Sequence, residues 1–275
     1  MAKLAVGHPF DTIKVRLQTS ANPQFHGPVD CVLKTFRYEG LRGFFKGASP
    51  PLMGWMAMDS VMLGSLTLYR RLLKEQLHTT DLSPAGHGLA GIMAGCTVSC
   101  VAAPFEHIKA RLQIQYQAAK VDRLYKGPID CVLKIFRARG LPGIYHGFTA
   151  TVIFRSFFFF WWSSYDILTR FIRDKTQMST IAINFWAGGL SAQLFWLTSY
   201  PTDVIKQRIM TDPLNGRLHD GHPRFGSWWQ AAKAVKIENG WKGYWRGFAP
   251  CFLRAFPANA VALVAFEGIM RALPQ

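Results

Sequence analysis

The chain has 275 residues, 49% of them hydrophobic and 14% aromatic, with only 17% charged and a formal net charge of +16. Charge this sparse excludes an ordinary, heavily solvated domain. Lys and Arg gather at the ends of apolar stretches rather than along a face with exposed aromatics, which argues against nucleic acid and for anionic lipid as the partner of the basic surplus.

In chain order, the first element is a helix carrying PFDTIKVRLQ at 9–18. Only eight residues precede Pro9, so this helix is expected to be too short to cross about 30 Å of hydrocarbon by itself. CVLKTFR at 31–37 places its apolar residues on one helical face and Lys34 and Arg37 on the other. Apolar runs then follow at 48–69, 85–104, 147–169, 181–201 and 248–266, each near the ~20 residues of a spanning helix. Between the second and third lies CVLKIFR at 131–137, a second amphipathic helix. The Gly91 and Gly95 pair, and Ala187, Gly188 and Gly189, mark places for close helix packing.

The charged proline motif returns as PFEHIKARLQ at 104–113 and PTDVIKQRIM at 201–210, intervals of 95 and 97 residues. A partner motif follows each copy: EGLRGFFKG at 39–47, RGLPGIYHG at 139–147 and NGWKGYWRG at 239–247. Segments 27–47 and 127–147 share 13 of 21 residues, which identifies an internal repeat. Three similar units are expected, at 1–80, 81–177 and 178–275. No nucleophile motif, paired carboxylates or Cys/His metal spacing stands clear of the repeat, so no enzyme, metal or cofactor is expected. Cys31 and Cys131 are repeat-equivalent in a set of five cysteines, which argues against a disulfide framework.

These motifs resemble those of the mitochondrial carrier family, solute carrier family 25: Pro-x-Asp/Glu-x-x-Lys/Arg-x-Lys/Arg, then Asp/Glu-Gly-x-x-x-x-aromatic-Lys/Arg-Gly. The resemblance covers nearly the whole chain. It implies an all-helical, multi-pass protein of the mitochondrial inner membrane: a six-transmembrane-helix bundle of three pseudosymmetric units, each with a short matrix-side amphipathic helix. It also implies cardiolipin held near Lys46, Gly47, Gly147, Arg246 and Gly247. A monomer that moves a small solute is expected.

The motif has its own physics. Pro9, Pro104 and Pro201 each remove a helix hydrogen bond and bend the chain, turning the next charged turn toward the bundle axis. Asp11, Lys14, Glu106, Lys109, Asp203 and Lys206 then pair between neighbouring helices and close one end of a water-filled cavity. Water-lined pairs are worth about 1 kcal/mol or less each, weak enough for a solute to open. The resemblance implies that Gln18 and Gln113 brace the pairs, with Met210 in the third brace position. His8 and His107 lie beside the gate charges. At the opposite end it implies a second gate at Tyr165, Asp166, Phe266 and Glu267. There Thr169 and Met270 replace the expected base, so that gate is expected to be weak.

Charge at mid-membrane depth is costly unless it is used or paired, which singles out Asp59, Arg155 and Arg254. Arg155, with Ser156, and Arg254, with Asn259, would take a carboxylate, and Asp59 a cation. That combination fits an amino acid or a carnitine-like solute. Mutual neutralisation of Asp59 and Arg155 is the competing expectation, and a non-transporting membrane scaffold or a transport-impaired carrier with a truncated first helix the competing function.

Overall fold

The computed structural model describes residues 2–19, 27–45, 49–114, 124–212 and 225–252. Among them every regular element is a helix: α1 Ala2–Thr19, α2 Pro28–Phe44, α3 Ser49–Gln76, α4 Pro84–Gln113, α5 Pro128–Ile144, α6 Phe148–Ser156, α7 Phe158–Lys175, α8 Thr180–Met210 and α9 Trp228–Gly243. Long, short and long helices thus recur: α1, α2 and α3, then α4, α5 and α6 with α7, then α8 and α9.

Local chemistry sets the boundaries. Ser83, Ser179 and Ser227 cap α4, α8 and α9 by accepting from the backbone N–H of Gly86, Ala182 and Gln230, contacts worth about 1 kcal/mol each. Pro28 and Pro128 start α2 and α5, where a missing N–H costs nothing. The three short helices share one backbone feature: Gly40, Gly140 and Gly240 have φ of 64°, 63° and 62° and bend each helix at the same place. Only glycine adopts that conformation without strain.

α1, α4 and α8 contact one another pairwise, α3 packs on α4, and α6 and α7 pack on both α4 and α8. The pattern of burial is inverted relative to a soluble domain. Asp11, Lys14, Arg16, Arg155, Asp203 and Lys206 are buried, while Leu63, Leu89, Phe160, Leu190 and Leu197 are exposed. Large exposed apolar surface on helices wrapped around a charged centre is what hydrocarbon solvent selects. α4 is long and apolar enough to cross a bilayer by its composition.

Small residues act unevenly. A Cβ on Gly91 would lie 2.5 Å from Trp162 Cδ1, and one on Gly95 would lie 2.8 Å from the Arg155 carbonyl, so α4 presses directly on α6 and α7. Gly188, 97 residues beyond Gly91, is looser, the nearest contact of a Cβ there being Tyr165 Cε2 at 3.9 Å. The run expected as one helix at 147–169 is two: Phe157 separates α6 from α7, and Phe157 and Phe160 donate to the carbonyls three residues back, Phe154 and Phe157. Ser156 Oγ donates to the Ile153 carbonyl at 2.7 Å beside the break. Cys31, Cys96, Cys100, Cys131 and Cys251 are unbridged. Burial pushes the Cys31 and Cys131 thiols up to about 11 and about 12, which leaves both unreactive.

Candidate functional site

The motif prolines lie inside α1, α4 and α8, and the acid and lysine after each proline point to the shared centre. Lys109 Nζ lies 2.7 Å from Asp11 Oδ2, joining α4 to α1. Lys206 Nζ lies 3.0 Å from Glu106 Oε2, joining α8 to α4, and Lys14 Nζ lies 2.7 Å from Asp203 Oδ2, joining α1 to α8. The ring is closed, each unit giving its lysine to the acid of another. Lys206 also approaches Asp203 Oδ1 at 3.3 Å.

These pairs are more shielded than water-lined charges, with side chains 2–21% exposed. Removing one partner of a buried pair costs about 3–5 kcal/mol because its mate is stranded. The lysines are also backed by rings: Lys14 Nζ lies 4.2 Å from the Trp196 centroid and Lys206 Nζ 4.0 Å from that of Phe154.

Gln113 is buried beside the ring, but its amide donates to Thr12 Oγ1 at 3.2 Å rather than to a ring carboxylate. Thr12 in turn donates to the Phe44 carbonyl at 2.8 Å. Sequence reasoning missed this threonine, whose signal was its place beside the motif acid. The Gln18 side chain lies outside the described residues, and Met210 is fully buried.

The second base of the motif anchors the short helix in the first and third units. Arg16 grips Glu39 with two nitrogens, at 2.7 and 3.0 Å, and Arg208 reaches Glu238 at 2.8 Å. In the second unit Arg139 stands where Glu39 stands in the first. Arg111 instead donates to His107 Nε2 at 2.6 Å, Tyr125 Oη at 3.3 Å and the Asp212 carbonyl at 2.6 Å. His107 is therefore held as an acceptor, its Nδ1 lying 3.0 Å from the Ile144 carbonyl. The His8 side chain lies outside the described residues.

Beside the ring lies a cavity of about 310 Å³. Its lining includes Asp59, Arg155, Phe158, Trp161, Phe195 and the six charges of the ring. Asp59 and Arg155 do not neutralise each other: Arg155 Nη2 pairs with Glu106 Oε1 at 2.6 Å, and no ion pair among the described residues involves Asp59. Ser156 is spent on Ile153 and is not part of the lining. The Phe157–Trp162 run divides by face: Phe158 and Trp161 line the cavity, while Phe160 is 40% exposed. Arg254 and Asn259 lie outside the described residues.

At the other end, Tyr165 Oη donates to Asn184 at 3.1 Å. Asp166 is answered within its own helix by Arg170, at 3.0 Å and one position beyond Thr169, with His87 Nε2 at 3.7 Å. Phe266, Glu267 and Met270 lie outside the described residues. A surface pocket of about 480 Å³ runs from the start of α2, at Gly27 and Pro28, to Trp245, Arg246 and Gly247. Gly247 has φ of 84°, and a Cβ there would lie 3.1 Å from Tyr200 Oη. Gly147, at φ of 91°, is likewise pressed, its Cβ position 2.9 Å from Met210 Cγ. Lys46 and Gly47 lie outside the described residues.

Repeated units that close a charged ring around a polar cavity, with apolar side chains turned outward, define a class of membrane transport protein. The mitochondrial carrier protein family model matches residues 1–77, 80–176 and 177–275, so the chain belongs to the mitochondrial carrier family and is a multi-pass protein of the mitochondrial inner membrane. The chain is 38% identical to "Mitochondrial substrate carrier family protein L" of Dictyostelium discoideum, covering 99% of this chain and 92% of that one. It is 35% identical to the "Mitochondrial basic amino acids transporter" of Rattus norvegicus, covering 98% and 85%. Identity to the "Glutamate/glycine mitochondrial carrier ymc1" of Schizosaccharomyces pombe is 31%, covering 98% and 90%. Proteins of this family are transporters rather than enzymes.

Proposed function

We propose that this carrier moves a basic amino acid across the inner membrane by alternating access. Six spans would form the bundle, with the Asp11, Lys14, Glu106, Lys109, Asp203 and Lys206 ring as the matrix gate and α2, α5 and α9 as matrix-surface helices. The observation that carries the substrate is the composition of the cavity: an acid without an ion partner among the described residues, Asp59, shares it with a buried arginine, Arg155. Asp59 takes the side-chain cation. Arg155 takes the carboxylate, with Arg254 and Asn259 completing the site. Similarity to a basic amino acid transporter supports the same reading. Asp166 and Tyr165, with Phe266 and Glu267, act at the opposite gate, and Asp166 held by Arg170 of its own helix makes that gate weak. Cardiolipin occupies the pocket beside Arg246 and Gly247, where its phosphate meets the first N–H groups of α2, and the working unit is a monomer.

Uptake of labelled L-arginine, L-lysine, L-glutamate and carnitine into liposomes holding the purified protein tests the reading. L-arginine and L-lysine are expected to enter, and Asp59→Asn to cut their uptake about tenfold or more, the scale of one lost charge-assisted contact. Equal uptake of carnitine, or undiminished uptake of arginine and lysine by the Asp59→Asn variant, would contradict it.

A further inference from the structure

Glu106 divides its oxygens between two elements. Oε2 faces Lys206 of the gate at 3.0 Å, and Oε1 faces Arg155 of the cavity at 2.6 Å. Arg155 is only 9% exposed, its guanidinium lies 5.5 Å from the Phe158 ring, and its Nε–H has no hydrogen-bond acceptor among the described residues. Nε–H and Nη2 share the edge of the guanidinium that grips a carboxylate through two parallel bonds. Half of that edge is on Glu106, and the other half meets no acceptor among the described residues.

A carboxylate that takes the whole edge displaces Glu106 Oε1. A ligand with nothing but a carboxylate would leave that oxygen short of a partner in a shielded site, which is costly. An α-amino acid brings the missing partner with it, because its ammonium sits on the carbon next to the carboxylate. We propose that the α-amino-acid head of the solute inserts between Arg155 and Glu106, exchanging one ion pair for two. The proposal rests on the reading of the chain as a basic amino acid carrier and names the group that holds the α-ammonium. Asp59 then serves the side-chain cation. Charge stays balanced throughout. Insertion also unties Glu106 from α6, so the gate acid is held by Lys206 and by the solute itself, which makes occupancy of the site felt at the gate.

The test compares binding of L-arginine, δ-guanidinovalerate, which lacks the ammonium, and agmatine, which lacks the carboxylate, to the purified full chain by calorimetry. Both truncated ligands are expected to bind about tenfold or more weakly than arginine, one charge-assisted contact each. In Glu106→Gln the preference for arginine over δ-guanidinovalerate should collapse toward one, whatever that variant does to transport. Equal affinities in the unaltered protein, or a preference that survives Glu106→Gln, would overturn insertion and leave the basic amino acid reading standing. Failure of arginine to bind at all would overturn both.

Discussion

His146, in the turn between α5 and α6, shows how one residue carries the cost of a basic neighbourhood. Burial first, then Arg139 and Arg111, push its pKa down to about 4, and the Ile209 carbonyl only partly offsets them. The His107 ring lies 6.1 Å away and adds no negative charge. An unfolded histidine titrates near 6.5, so between about pH 6.5 and 4 the unfolded chain binds the extra proton. Stability therefore falls as pH drops through that window and is level above it. His146→Gln is expected to flatten this part of the thermal-stability profile between pH 7 and 4, and an unchanged acid slope would refute the assignment. Nothing in the sequence exposed this residue, because its neighbours Arg139 and Arg111 reach it only through the tertiary fold.

Among the elements, the three short helices are tied to their long partners with unequal strength. Glu39 is 4% exposed where it meets Arg16, Glu238 is 21% exposed where it meets Arg208, and the second unit has Arg139 instead of an acid. Glu39→Gln strands a buried guanidinium and should cost about 3 kcal/mol or more. Glu238→Gln should cost less and Arg139→Gln least, an order that denaturation of the three purified variants would check. The sequence announced the bases at 16, 111 and 208 as part of a motif but not their partners, since Glu238 is one position out of register with Glu39. The break at Phe157 was equally hidden. The six aromatic residues Phe157–Trp162 cover every helical face and so carry no periodicity to lose, and the run reads as one continuous helix.

For the whole molecule, the legible part was what duplication leaves behind. Three prolines at intervals of 95 and 97 residues, each followed by an acid and a lysine, were enough to expect a ring of pairs between units, and in the folded chain Asp11, Glu106 and Asp203 each meet a lysine of another unit. The expectation that these pairs would be weak came from treating them as water-lined, whereas their exposure of 2–21% makes them substantial. Asp59 and Arg155 were legible as misplaced charges at membrane depth. The partner of Arg155 was not, because symmetry relates equivalent positions and Glu106 is not the equivalent of any residue Arg155 was expected to meet.

Charge exchange across one pair tests the ring most directly. Uptake of L-arginine into liposomes is measured for Asp11→Lys, for Lys109→Asp and for the two together. Each single change places like charges face to face and should cut uptake severely, while the double change restores the pair in reverse and should recover a large share of it. A double variant no better than the singles would contradict the claim that these side chains act on transport as a pair.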